Sequence, residues 1–264
     1  MKTTKLLQIQ KTFVGRFDFK VSKKKYGLHL DEMIVSAKNM KLFSHGDWKY
    51  VRGKHKTDMN ITMDSKNFGS MLTDLGYAVI IEKGIAQAVG KFNWDGTPTQ
   101  FSLDKLNGNI QLNLEDGNIV DVDAGAGRLL GFFSLSALPR KLFGDFKDVE
   151  SGFNFDSAIG EIKIDYGDAY TDGFEIKSPI AEISVSGRTG LFDQDYENIL
   201  EVTPDVGGGV AGVTALLVNL PAGIGLWLLD KITGEQFDDA SARIYEITGS
   251  WDKPVIEELD QEEL

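Results

Sequence analysis

The sequence predicts a mainly β protein of antiparallel strands, apolar on one face and wet on the other. Three observations predict it. Apolar and polar residues alternate with period two through most of the 264 residues. Gly- and Asp-containing pairs punctuate these runs at hairpin spacing. Only three segments break the pattern, so three short helical pieces are available to cover the apolar faces, which either a closed sandwich core or an open groove would accommodate.

Taken in chain order, FVGRFDFKV (13–21) puts Phe17, Phe19 and Val21 on one face, and TDMNITM (57–63) does the same for Met59, Ile61 and Met63. SKNFGSMLTDLG (65–76) changes period: Phe68, Met71, Leu72 and Leu75 sit at i, i+3, i+4 and i+7, which predicts a short amphipathic helix capped by Ser65 and stopped by Gly76. NIQLNL (109–114) returns to alternation, with Ile110, Leu112 and Leu114 on one face; EDGN (115–118) then reads as a turn before the strand IVDVD.

Residues 124–146 break the alternation again. Leu129, Leu130, Phe132, Phe133, Leu135 and Leu138 are too dense for a strand, so the reading is an apolar helix broken before Pro139 and a second turn carrying Leu142, Phe143 and Phe146. Strands then resume as EIKID, FEIK, AEISVSG and RIYEITGSW. They place Ile162, Ile164, Ile176, Ile183, Val185, Tyr245 and Ile247 on apolar faces, with Gly167-Asp168, Asp172-Gly173 and Ser186-Gly187 as punctuation. Residues 257–264 form an acidic tail.

The third departure is VGGGVAGVTALLVNLPAGIGLWLL (206–229), uncharged throughout and long enough to cross a bilayer as one helix. Its glycines, Asn219 and Pro221 divide it into halves each too short to span, and no Lys/Arg cluster flanks it. The expectation is a bent apolar helical pair over about 206–234 that packs on the sheet or dips into a lipid surface. Leu216, Leu217, Leu226, Trp227 and Leu228 are its contact candidates, Trp being suited to a bilayer interface.

Composition removes several function classes. The chain has no cysteine, which excludes a disulfide framework, thiol catalysis and thiolate metal sites. The net charge of −12 is uneven: residues 1–56 hold 14 of the 28 Lys and Arg and 4 of the 40 Asp and Glu, a balance of +10, leaving −22 for the rest. A basic front part suits anionic headgroups or an acidic partner, or is simply a solvated face; the acidic remainder argues against nucleic acid. His29, His45 and His55 have no metal spacing, and Asp121 and Asp123 lack the further oxygen ligands of a calcium loop. Gly125-Ala126-Gly127 opens a predicted helix beside Arg128, a candidate headgroup contact, but the third glycine of a dinucleotide fingerprint is missing. No nucleophile elbow occurs. The expectation is a protein that is not an enzyme and needs neither cofactor nor metal.

The start, MKTTKLLQIQKTFVGRF, has no apolar core region or cleavage site of a signal peptide, so the expectation is either a cytosolic chain or a piece of a longer chain whose targeting segment lies upstream. A family resemblance fits the second. The block NGNIQLNLEDGNIVDVDAGAGRLLGFFSLSALPRKLFGDFKDVESGFNFDSAIGEIKI, with DAYTDGFEIKSPIAEISVSGRTGLFDQDYENILEVTPDV and RIYEITGSWDKPVIEEL, resembles the C-terminal region of the YhdP branch of the AsmA-like envelope proteins. The resemblance covers roughly residues 65–258. It implies a strongly curved antiparallel sheet forming an apolar groove, with short helices capping it or inserted between strands. It implies residence in the periplasm of a Gram-negative bacterium, an inner-membrane anchor in an absent N-terminal part, and phospholipid carried between the two membranes. This chain is then a single β-groove segment, residues 1–264, at the end near the outer membrane.

Energetics give such a groove a purpose. Burying a methylene is worth about 0.8 kcal/mol, so exposing a sixteen-carbon tail to water costs about 13 kcal/mol. A continuous apolar trough removes most of that barrier without catalysis. On this reading Ile110, Leu112, Leu114, Ile162, Ile164, Ile176, Ile183 and Val185 line the trough, while Leu129, Leu130, Phe132 and Phe133 join 216, 217 and 226–228 at its end or at a membrane. The alternative is a tethering module whose apolar face is an ordinary filled core and whose partner is another envelope protein.

Overall fold

The computed structural model describes residues 2–9, 12–76, 81–119, 153–179, 181–204 and 242–259. Thirteen strands form one sheet in strict chain order: β1 (Lys2–Ile9), β2 (Thr12–Lys24), β3 (Gly27–Ala37), β4 (Met40–Val51), β5 (Lys54–Ser65), β6 (Ile81–Asp95), β7 (Asn107–Ile119), β8 (Phe153–Asp165), β9 (Asp168–Lys177), β10 (Ala181–Gly190), β11 (Asp195–Pro204), β12 (Arg243–Ser250) and β13 (Lys253–Leu259). Every pair is antiparallel and joins chain neighbours. The first and last strands do not pair with each other, so the sheet is curved but unclosed. The mainly β class and the curved antiparallel groove are what the sequence and its family resemblance predict.

A meander of this kind sorts its connections onto two rims. The turns after β2, β4, β8, β10 and β12 are short and share one rim, together with the longer β6–β7 connection and its two 3-10 turns at Pro98–Gln100 and Leu103–Lys105. The other rim carries the β3–β4 turn and a helix, α1 (Phe68–Asp74), between β5 and β6. The helix predicted over 65–76 is therefore present but shorter. Ser65 is not its cap; it ends β5, and its hydroxyl donates to the Asn39 carbonyl at 2.7 Å. Asn67 is the N-cap, its side-chain oxygen accepting from the Ser70 N–H at 2.8 Å. Gly76 does follow the helix, at a φ of 89°. Phe68, Met71 and Leu72 are buried against the sheet, and Gly69 lets the helix approach so closely that a Cβ there would lie 2.2 Å from the Ile81 carbonyl oxygen.

Three turn signals turn nothing; one, Ser186-Gly187, lies within β10 and is paired on both sides, with Ile199 and Asn198 of β11 and with Asp172 and Thr171 of β9. EDGN at 115–118 lies inside β7, where Asp116 (φ 54°) faces Gly84 (φ 77°) across the β6–β7 ladder while Glu115 still pairs with Ile85 and Gly117 with Lys83. The left-handed conformations are absorbed as a matched irregularity, and both strands continue. Asp172-Gly173 likewise makes a bulge within β9: Val185 pairs with Phe174 and Ser186 with Asp172, leaving Gly173 (φ 86°) as the extra residue. Further register shifts occur at Lys20/Val21, Leu30/Met33 and Ile159/Ile162. Each bulge increases local bend and twist, which lets a meander curl without changing which face is apolar. The acidic tail is also shorter than predicted, because Glu257, Glu258 and Leu259 belong to β13. The helices predicted within 124–146 and 206–234 lie outside the described residues. Among the described residues no helix is long and apolar enough to cross a membrane.

On the apolar face, glycines serve as seats for aromatic rings. Cβ atoms built on Gly90, Gly117 and Gly160 would lie 2.6 Å from Phe92, 2.2 Å from Phe155 and 2.4 Å from Phe174. Replacing Gly160 with Ala is expected to displace the Phe174 ring and cost about 1–3 kcal/mol. A lower urea midpoint at unchanged m-value would show it.

Candidate functional site

The site is a face, assembled row by row across the strands. One row runs Phe17, Val35, Leu42, Met63, Ala88, Leu112. A second runs Phe19, Met33, Ser44, Ile61, Gly90, Ile110, Ile162. A third runs Ser65, Ala86, Leu114, Ala158, Ile176, Ile183, Val202. Each row includes small residues among the large ones: Ala88 in the first, Ser44 and Gly90 in the second, Ser65, Ala86 and Ala158 in the third.

The eight trough residues read from the sequence all fall on this face and in its hydrophobic cluster. They are not equally covered. Leu114, Ile162, Ile164, Ile176, Ile183 and Val185 are buried, between 1% and 8% exposed, whereas Ile110 and Leu112 are half-buried. The difference continues along the sheet. Toward β2 the face stays half-buried at Phe17, Phe19, Met33, Leu42, Met59, Ile61 and Met63. Toward β13 it is buried through Leu200, Tyr245, Ile247 and Ile256. A cavity of about 20 Å³ in the buried half, bounded by Ile162, Ala169, Thr171, Phe174, Val185, Thr189 and Asn198, is water-sized and has no room for a lipid tail. Its polar lining is self-satisfied where Asn198 Nδ2 donates to Thr189 Oγ1 at 2.9 Å. Over β2–β5, and at Ile110 and Leu112 of β7, most large inward side chains are thus half-buried, whereas the ends of β6 and β7 beside α1 (Ile81, Leu114, Ile119) and the face over β8–β13 are packed.

Met33, Val35 and Leu42 were not among the sequence-derived lining residues. MIV at 33–35 is a continuous apolar run, and the inward positions of β4 include Ser44 and Gly46, so neither strand shows clean alternation. Arg128, the cluster at 129–133 and the contact residues 216, 217 and 226–228 lie outside the described residues.

The opposite face is mostly polar, with Phe43, Ile85, Val89 and Ile159 exposed on it, and it holds ion clusters around His29, Asp47, Lys49 and Asp58 and around Arg188. Arg188 donates from Nη1 to Asp168 (2.9 Å), from Nη2 to Asp195 (2.8 Å) and from Nε to Glu197 (3.3 Å), tying β9, β10 and β11 together. The hydrogen bond to Asp195 is the largest influence and raises the guanidinium pKa above its ordinary value; burial opposes it, and the bonds to Asp168 and Glu197 add to the rise.

A curved, unclosed antiparallel sheet with one continuous apolar face defines a class, the β-groove proteins. Within it the chain belongs to the YhdP protein family, whose family model matches residues 3–256. It is 27% identical over 247 residues to the intermembrane phospholipid transporter YhdP of Escherichia coli strain K12, covering 93% of this chain and 20% of that protein. The chain therefore spans about a fifth of the length of the curated relative it matches. No solved structure matches it.

Two outcomes follow from the chemistry of the apolar face. Ser44 is fully buried among Met33, Ile61 and their neighbours, and its hydroxyl has no partner. Ser44→Ala is expected to be neutral or to stabilise by up to about 1 kcal/mol, read by chemical denaturation. Tyr245, also on this face, has its pKa raised, chiefly because burial disfavours the phenolate. A raised folded-state pKa means that its contribution to stability is complete below the unfolded value near 10 and is lost as pH rises through the folded value. Stability is therefore expected to decline above pH 10, and Tyr245→Phe to flatten that decline in pH-resolved unfolding curves.

Proposed function

We propose that this chain is a segment of a non-enzymatic conduit that carries phospholipid between membranes, with acyl chains lying on the half-buried part of the face, over β2–β5 and at Ile110 and Leu112. The observation that carries the reading is that gradient of cover: an apolar face that is continuous in register, yet whose large side chains over β2–β5 and at Ile110 and Leu112 are mostly only half covered. Such a face offers a tail an apolar surface at every strand step, about 4.8 Å apart, and asks for no bond to be made or broken. Ile110 and Leu112 mark where the open part meets the packed part; Leu114, Ile162, Ile164, Ile176, Ile183 and Val185 form the closed end. The relative's description as an intermembrane phospholipid transporter supports the substrate class. The family resemblance of residues 65–258 supports a periplasmic setting at the end of the conduit near the outer membrane. Residues 129–133, 216, 217 and 226–228 are the proposed membrane contacts there, with Arg128 beside a headgroup.

A second reading has its own observation. The buried half, with no more than a water-sized cavity among the residues cited, is what a tethering module with a filled core would show.

The experiment is purification from bacterial cells without detergent, then native mass spectrometry with lipid extraction. Stoichiometric phospholipid is expected. Ile61→Asp and Ile110→Asp, at half-buried positions where the fold tolerates a charge better than in the packed end, are expected to lose it while retaining the parent circular dichroism spectrum. A lipid-free, folded and monodisperse parent chain would favour the tether.

A further inference from the structure

The rim that carries the turns after β2 and β4 has a chemistry the trough does not use. Lys23, Lys24 and Lys25 lead into the first tip, and Arg52 and Lys54 form the second. All five are exposed, and none makes an ion pair among the described residues; Lys25 lies over the Tyr26 ring at 5.0 Å. The nearby Lys49 differs, since Asp58 and Asp47 neutralise it at 3.4 and 3.9 Å. Large apolar side chains project between the free cations: Tyr26 is 55% exposed, Tyr50 50% and Val51 47%. The two tips form one platform, because the Tyr50 N–H donates to the Tyr26 carbonyl at 2.7 Å. Arg52 holds a φ of 52°, a conformation in which glycine or asparagine would be less strained, and this sets a cation at the apex of the second tip.

Further along the same rim the tips keep their exposed rings, Phe101, Tyr166 and Phe192, but the charge reverses. Asp165 precedes Tyr166, Asp193 follows Phe192 and Asp252 lies in the β12–β13 turn, while Asp168 and Asp195 are paired with Arg188.

We propose that the β2–β3 and β4–β5 tips dock this end of the sheet onto an anionic lipid surface. The cations meet headgroup phosphates, while the tyrosines and Val51 enter the interfacial layer, where amphipathic rings are favoured. Charge complementarity selects that surface: unpaired cations gather at two adjoining tips, and on this rim the more acidic tips beyond them do not take part in the contact. The same acidic neighbours disfavour nucleic acid, whose phosphates would run past the platform.

The test is partition of the whole chain into phosphatidylcholine vesicles with and without phosphatidylglycerol. Binding is expected only with the anionic lipid, and it should weaken as salt is added. Lys24→Gln/Lys25→Gln/Arg52→Gln/Lys54→Gln should reduce partition about six hundredfold, at roughly fivefold per cation. A control with equal loss of charge toward the other rim, Lys38→Gln/Lys41→Gln/Lys66→Gln/Lys83→Gln, should bind as the parent does. Tyr26→Ser/Val51→Ser should weaken binding and leave its salt dependence intact. Equal losses in both quadruple variants, salt-insensitive binding, equal binding to phosphatidylcholine alone, or a preference for a DNA duplex over the vesicles would each overturn the proposal. Ile110→Asp should partition like the parent, so failure of the trough reading is separable from failure of this one.

Discussion

The structure depends on one constraint: each strand satisfies its backbone hydrogen bonds with the strand before it and the strand after it in the chain, and with no other. Ladder pairing then needs no long-range crossover, and the sheet extends one hairpin at a time. The same rule leaves the sheet single-layered wherever nothing else is folded onto it. A second sheet would have covered the apolar face and made a sandwich. Here the described cover is α1 on one rim and the face's own curvature, which brings inward side chains of neighbouring strands together. Packing is complete over β8–β13 and beside α1, and incomplete at the large inward side chains of β2–β5 and at Ile110 and Leu112. The gradient that carries the functional reading is a consequence of the pairing rule.

Curvature in turn rests on small residues and bulges at inward positions. Glycines at 90, 117 and 160 each seat a phenylalanine ring, and serine or alanine fills inward positions at 44, 65, 86, 88, 158 and 169. A face built wholly from Leu and Ile would crowd on bending. The polar groups admitted there differ in their satisfaction. Asn198 and Thr189 pair with each other, whereas the Ser44 hydroxyl is left alone in the half-covered part. Charge is kept off the face and gathered elsewhere: on the outer surface around Arg188, and at the hairpin tips, basic at one end of the rim and acidic at the other.

Much of the fold was legible because period two is a local signal. The faces holding Ile110, Leu112 and Leu114, or Ile162 and Ile164, follow from the pleat alone, and antiparallel order follows from short links between runs. Turn chemistry was the less dependable signal. The residues that favour a left-handed conformation at a hairpin apex favour it equally at an in-strand irregularity, so EDGN and Asp172-Gly173 read as turns although both lie within strands. The cap of α1 was misplaced for a related reason. Ser65 and Asn67 both suit an N-cap, and the choice was made by Asn39, whose carbonyl takes the Ser65 hydroxyl from a strand 26 residues away in sequence.

The sequence by itself determined the class of this protein, the apolar identity of one face, the uneven charge and the family resemblance, because each is written in neighbouring residues or in their spacing. Only the tertiary structure decided how well that face is covered and which tips share a rim. Burial depends on how far the sheet curls and on which residues meet across strands, and both are sums over many pairs distant in sequence. Six of the eight aligned isoleucines, leucines and valines are closed off and two are not, though nothing in their own local sequence distinguishes Ile110 from Ile162, its partner across the β7–β8 ladder.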